Sequence, residues 1–343
     1  MEIADEKNQE DDNINNGDDT SAMHCDVQPV TSSFGGKEIG IQVETAFYTT
    51  TFMDLLSTEN DFSTATGIQS YKILDKIVEL VEVVYGHNIL NSKMTLRERI
   101  IMTYVKLKQN LSWVFLALIF KKCSAVQCRR IFETTLTMLF KCLQVAIRWP
   151  SREEISRNLP ECFKDFEDVR VVIDCTEIFI QAPSKLCCQE LTYSNYKSST
   201  TCKILTGVTP GGIISYFTKP YGGRHLDTAL FEQSDLMTLL EPGDAVMTDR
   251  GFLIEEICAR NKWKLIRPPF MKDKKQLSKD EAILTSKIAK ARVHVERSNQ
   301  RIKAFAFAMS VKLVPELHKI FTVICATVNL SSPIFKDDKF MKN

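Results

Sequence analysis

No apolar run in the 343 residues reaches the ~18 to 20 needed to span a bilayer, so no membrane helix is expected. The N-terminus is acidic rather than basic-then-apolar, which excludes a secretory leader of the usual kind. Eleven cysteines are scattered without a single C-x-x-C pair, and only Cys187 and Cys188 adjoin. That spacing argues against a disulfide framework and a structural zinc site, and predicts a reduced intracellular protein. No internal repeat is visible. Composition is otherwise ordinary, with 25% charged and 44% hydrophobic residues. The length accommodates a sizeable core, two domains and a tail.

The net charge of +1 conceals strong segregation. Residues 1–19 hold eight acids and one lysine. Residues 94–150 hold ten Lys and Arg against two Glu, a net +8, and residues 259–312 hold fifteen against four, a net +11. Two basic blocks flanking candidate carboxylates point to a polyanionic partner, the alternative being a solvated basic surface.

Residues 1–46 are polar, acidic and low in large apolar side chains, so a disordered tail is expected. From Thr66-Gly67 an amphipathic pattern (Ile68, Tyr71, Leu74, Ile77, Val78, Val81) predicts a helix that Gly86 ends. Residues 94–143 read as three helices. The first is capped at Thr95 with Glu98 three residues on, the second starts at Ser112, and Ser124 caps the third after a break at Lys121–Cys123. A short helix, a short turn and a helix bearing Arg129 and Arg130 form a helix-turn-helix-like arrangement over residues 66–150. That region either contacts DNA phosphates or simply supports the core.

Beyond Trp149-Pro150, strands alternate with helices. Val171–Ile180 reads as strand one. Residues 201–208 and 213–217 form a hairpin across Thr209-Pro210-Gly211-Gly212. Asp227–Leu240 reads as one helix. Ala245–Thr248 and Lys264–Ile266 are strands, Ser278 with Glu281 opens a helix to about Ala304, and Pro315–Leu330 is a last apolar helix.

Three short segments carry the chemistry: VVIDCTEIFI (Val171–Ile180), AVMTDRGF (Ala245–Phe252) and ARVHVERSNQRIK (Ala291–Lys303). Asp174 and Asp249 lie on or just beyond apolar strands 75 residues apart, and Glu296 lies 47 residues further on a basic helix. Two strand-borne Asp and a helix-borne Glu suit a pair of divalent metals beside a phosphodiester. Oxygen ligands fit Mg²⁺ or Mn²⁺, so neither His nor Cys is required. Three antiparallel strands followed by two reached through helices is the order of an RNase H-like α/β fold with a mixed five-stranded sheet and flanking helices.

With IDCTEI, YSNYKS from Tyr193, GVTPGGIISYFTKPYGGR, LLEPGDAVMTDRGF, KKQLS and RVHVER in this order, the chain resembles the DDE superfamily endonucleases of PIF/Harbinger-type transposons over roughly residues 66–333. The resemblance implies a catalytic domain over about 165–333, with Asp174, Asp249 and Glu296 as metal-binding catalytic acids. It also implies a metal-dependent DNA endonuclease or transposase, a nuclear location, and a separate transposon-encoded DNA-binding partner; self-association is left open. The Cys/His zinc finger found at the start of some related proteins is lacking, since His24 and Cys25 cannot make one.

Each acid has a plainer reading: Asp174 paired to an Arg, Asp249 as a turn former before Arg250-Gly251, and Glu296 in a surface ion pair with Arg292 or Arg297. Glu177 should face away from Asp174 on the strand. Asp227 is either a helix cap or an acid near the site, and His225 before it departs from the family's small residue. His294 would lie on the far side of its helix from Glu296. Lys274 and Lys275, with Lys279, precede the long helix, and Arg292, Arg297, Arg301 and Lys303 share it; all are candidate contacts to DNA phosphates. Two other functions stay open: a domesticated, catalytically silent DNA-binding or scaffold protein, and a metal-dependent phosphatase or RNase on the same fold.

Overall fold

The computed structural model describes residues 51–86, 92–271, 276–311 and 316–332. The acidic stretch 1–46, Lys274 and Lys275 lie outside them, as does the side chain of His294.

Helix starts follow the local chemistry. In α3 (Leu96–Gln109), α4 (Trp113–Phe120) and α5 (Ala125–Leu143), the N-caps are Thr95, Ser112 and Ser124. Each accepts from the N–H three residues on, at 3.2, 3.1 and 3.3 Å. Before them come α1 (Glu59–Thr66) and α2 (Tyr71–Tyr85), the latter stopped at Gly86. Ile68 is buried in the link ahead of α2 rather than within it, because Ser70 caps the helix later than the apolar pattern starts. Lys121 adopts a left-handed conformation (φ 52°) that closes α4, so only Lys121–Ser124 join it to α5.

The sheet is built on β1 (Val169–Ile180). β3 (Ser199–Val208) pairs with it antiparallel, and β4 (Ile214–Phe217) pairs antiparallel with β3. On the other side β6 (Ala245–Met247) runs parallel to β1 and β7 (Lys264–Ile266) parallel to β6. The five principal strands thus lie in the order β4-β3-β1-β6-β7, the mixed RNase H-like sheet. Short strands β2 (Tyr193–Ser194) and β5 (Tyr221–Gly222) extend β3, and β8 (Ser310–Val311) pairs with β1.

Alternation along β1 sends Val171 and Ile173 to one face, and Val172 and Ile178 to the other. The first face packs under α8 (Asp227–Glu232), α9 (Leu236–Leu239) and α10 (Glu255–Arg260), through Leu230, Phe231, Leu236 and Ile257. The second lies under α11 (Lys279–Lys303) and α12 (Leu317–Leu330), and its core continues without a break into α1–α5. A buried hydrogen bond of 2.8 Å between Tyr104 of α3 and Thr327 of α12 crosses that junction.

Two helical expectations change. Asp227–Leu240 is not one helix but α8 and α9, separated at Gln233–Asp235; there the Ser234 hydroxyl bonds back to the Phe231 carbonyl at 2.6 Å and diverts the backbone. The short helices α6 (Arg152–Arg157) and α7 (Leu186–Thr192) are additional. All ten described cysteines are free thiols.

Candidate active site

Asp174 and Asp249 are brought together by strand register. Val172 of β1 pairs with Met247 of the parallel β6, and each aspartate lies two residues beyond its partner in that pair. Parallel neighbours are about 4.8 Å apart and side chains two apart share a face. The two carboxylates therefore sit side by side on the face covered by α11, Asp174 midway along β1 and Asp249 just past the carboxyl end of β6. The strands reach this point on buried runs: Val171–Ile173 and Ala245–Met247 are apolar and buried, as is Thr248 before Asp249. The Asp249 carboxylate also lies beside Gly251, where a Cβ would stand 3.8 Å from Oδ1.

Asp174 is held by a small polar cluster. Asn299 of α11, itself 3% exposed, donates from Nδ2 to Asp174 Oδ2 at 2.7 Å. Thr206, the β3 residue directly opposite Asp174, places its hydroxyl 3.2 Å from both the Asn299 Oδ1 and the Asp174 carbonyl. Burial pushes the Asp174 carboxyl above the usual carboxylate range; Arg292 opposes this, the charge of Asp249 adds to it, and Lys303 and the Cys175 N–H oppose it. Two like charges at a partly buried site, answered by cations on the covering helix, are what a polyanion- or cation-binding centre needs.

Glu296 is exposed on α11, one turn before Asn299. At roughly 100° per residue, Arg292, Glu296, Asn299 and Lys303 fall within an arc of about 60°. Glu296 thus shares the helix side from which Asn299 reaches Asp174. Among the described residues no three His, Cys, Asp or Glu side chains are gathered tightly enough to hold a metal ion. Arg292 is partly buried with an Nε that has no hydrogen-bond partner. Arg301 donates to the Ser332 carbonyl at 2.8 Å, and Arg297 is partly buried beside it.

Glu177 and Asp227 belong to the opposite face. Lys203, the β3 partner of Glu177, lies 2.8 Å from Asp227 and 3.7 Å from Glu177, and also donates to the His225 carbonyl at 2.8 Å. Burial alone would lower the Lys203 ammonium, but Asp227 and Glu177 outweigh it and hold it above its usual range. Asp227 opens α8 and Glu177 also accepts from Thr201 at 3.0 Å, so both acids are occupied beneath the sheet. On α5, Arg129 pairs with Glu133 at 2.9 Å and Arg130 is exposed.

Asn299 was not singled out from sequence. Its only signal is the seven-residue step from Arg292, which returns it to the same helix face; the hydrogen bond itself depends on tertiary packing. The oxygen-only donors of Asp174 and Asp249, crowded by like charge, fit a hard divalent cation.

Residues 173–329 match the family model described as DDE superfamily endonuclease. The matched span starts one residue before Asp174 and encloses Asp249 and Glu296. No curated protein and no solved structure matches the chain.

Proposed function

We propose, on the premise that residues 173–329 are a DDE superfamily endonuclease domain, that the protein cleaves or transfers DNA phosphodiesters with the aid of Mg²⁺ or Mn²⁺. The observation that carries this reading is the parallel register that sets Asp174 beside Asp249 under α11. Asp174 and Asp249 would hold the metal, with Glu296 supplying a third carboxylate from the helix. When bound, the metal would activate an attacking hydroxyl and neutralise charge developing on the diester.

The chain's own residues do the rest. Asn299 keeps one oxygen of Asp174 engaged, so the carboxylate has a fixed orientation. Arg292 and Lys303 place positive charge on the same helix side and would draw a phosphodiester toward the two aspartates. The basic block 94–150 and the remaining α11 cations, Arg297 and Arg301, would hold the flanking backbone. Lys274 and Lys275 belong to the same proposal. So do the nuclear location and a separate DNA-binding partner, which follow from the transposase resemblance.

A second reading, a catalytically silent DNA-binding protein, is favoured by one observation: Arg292 and Asn299 already satisfy much of what the Asp174 carboxylate needs. One assay decides between them. A labelled duplex is incubated with Mg²⁺ or Mn²⁺ and either wild-type protein or Asp174→Asn. Metal-dependent nicking by wild type alone supports the nuclease, whereas binding without nicking by both supports the silent reading.

A further inference from the structure

The turn that joins α4 to α5 brings two thiols into contact. Its backbone is held by the capping box that starts α5: Ser124 Oγ accepts from the Gln127 N–H at 3.3 Å, and Gln127 Oε1 accepts from the Ser124 N–H at 2.9 Å. Cys123 directly precedes the cap, and Cys128 is the fourth residue of the helix. Those are the two positions where an apolar pair often staples the entering chain to its helix. Here both are cysteines, and their Sγ atoms stand 3.2 Å apart. A disulfide bond is about 2.05 Å long, so the sulfurs have only roughly 1.2 Å to close.

The two thiols differ in access. Cys128 is fully buried, whereas Cys123 is half-buried on the wall of a surface cavity. Burial, and then the contact with Cys123, push the Cys128 thiol well above its usual range, so it keeps its proton. The Cys128 S–H can then donate to Cys123, whose own S–H is directed at Met94 Sδ, 3.7 Å away. One sulfur meets solvent, and the second stands behind it within contact distance. That is the arrangement of an attacking and a resolving cysteine. A staple by itself needs only apolar bulk at these positions.

We propose that Cys123 and Cys128 are a reversible oxidation site, forming a disulfide across the α4–α5 turn on exposure to hydrogen peroxide. The Cys123 thiolate attacks one peroxide oxygen and the O–O bond breaks; the departing hydroxide takes up the thiol proton and leaves as water. Cys123 is left as a sulfenic acid. The Cys128 sulfur attacks that sulfur, the S–O bond breaks, and the oxygen leaves as a second water carrying the Cys128 proton. Two thiols lose two electrons, and one peroxide is reduced to two waters. The new bond closes a loop of six residues and ties the turn to the helix that carries Arg129 and Arg130. The site stands apart from the Asp174–Asp249 centre and does not rest on the nuclease reading.

Trypsin cuts after Lys122 and Arg129 and so releases Cys123–Arg129, a peptide that holds both thiols and no others. The full chain is reduced, freed of reductant in EDTA, and exposed to hydrogen peroxide. It is then alkylated with iodoacetamide in denaturant, digested and read by mass. The expected peptide carries no alkyl group and is two hydrogens lighter than the dithiol. Dithiothreitol before alkylation should return it to the doubly alkylated form. The bond is also expected to raise the thermal unfolding midpoint, and dithiothreitol to reverse that rise. In Cys128→Ser, Cys123 should stop at the sulfenic acid, which dimedone traps. In Cys123→Ser, the buried Cys128 should remain a free thiol. The exposed Cys187, released in Leu186–Lys197, reports in the same digest that the peroxide acted. A doubly alkylated Cys123–Arg129 in wild type, where Cys187 is oxidised, overturns the proposal. So does a sulfinic acid that accumulates on Cys123 in wild type while Cys128 stays free.

Discussion

At Asp174, burial and the charge of Asp249 disfavour the ionised carboxylate, whereas Arg292, Lys303 and the Cys175 N–H favour it. The net effect is a raised folded pKa. A carboxyl raised above its unfolded value of about 3.9 favours folding below that value and withdraws this support as pH rises through the folded pKa. In metal-free protein, Asp174→Asn is therefore expected to raise the unfolding midpoint near pH ~7 and to lose that advantage toward pH ~4; thermal melts across this range check it, and an equal gain at both ends contradicts it. Asn299→Ala removes the hydrogen bond to that carboxylate and is expected to cost about 1 to 3 kcal/mol in chemical denaturation. It should also slow cleavage, because Asp174 loses its fixed orientation. The two aspartates were legible in sequence because each directly follows the apolar run of a strand, Asp174 inside β1 and Asp249 just past β6. Asn299 was not, because a polar residue on a basic helix looks solvent-facing until the helix is docked on β1.

At the scale of elements, the best-read features were those whose cause is local. Thr95, Ser124 and Ser278 each precede a Glu or Gln by three residues, and each starts its helix where expected. The α8–α9 break escaped because its apolar spacing suits one long helix, while Ser234 is diverted by a local backbone bond and by burial against the sheet. The junction of β1 and β6 was also hidden. A register shift between Val169 and Val171 turns Arg170 inward, 4% exposed, beneath the Trp149 ring and 3.7 Å from the equally buried Asp244. Arg152 reaches the same carboxylate at 2.8 Å. Asp244→Asn leaves the Arg170 cation buried without its nearest countercharge. A loss of roughly 3 to 5 kcal/mol is expected in denaturant unfolding. A loss below about 1 kcal/mol would show that the Trp149 face and the more distant acids suffice.

At the scale of the molecule, one core runs from the sheet face under α11 and α12 into α1–α5, so the helical region is built into the same body as the carboxylate centre. Residues 66–150 and 165–333 are distinct in motif, and sequence separates them on that basis; the shared core arises from apolar faces of α3, α5 and α12 whose partners lie far apart in the chain. Charge and catalysis are nonetheless expected to separate. Arg129→Ala with Arg130→Ala should weaken duplex binding and reduce its salt slope by roughly 0.9 per lost phosphate contact, while cleavage at saturating DNA persists. Unchanged affinity and slope would return α5 to a purely supporting role. Asp249→Asn should do the opposite, keeping duplex binding while losing several kcal/mol of transition-state stabilisation, at least a ~100-fold fall in cleavage rate.

Asp174 and Asp249 are proposed to hold a divalent cation jointly beneath α11, and anomalous diffraction from crystals grown with Mn²⁺ and a short duplex tests this without passing through activity. The expected map has a Mn²⁺ peak bounded by both aspartate carboxylates, with Glu296 turned toward it from the helix and a backbone phosphate adjoining. A map with no peak there, and with Arg292 occupying the space between the two aspartates while the duplex is bound, would contradict the account.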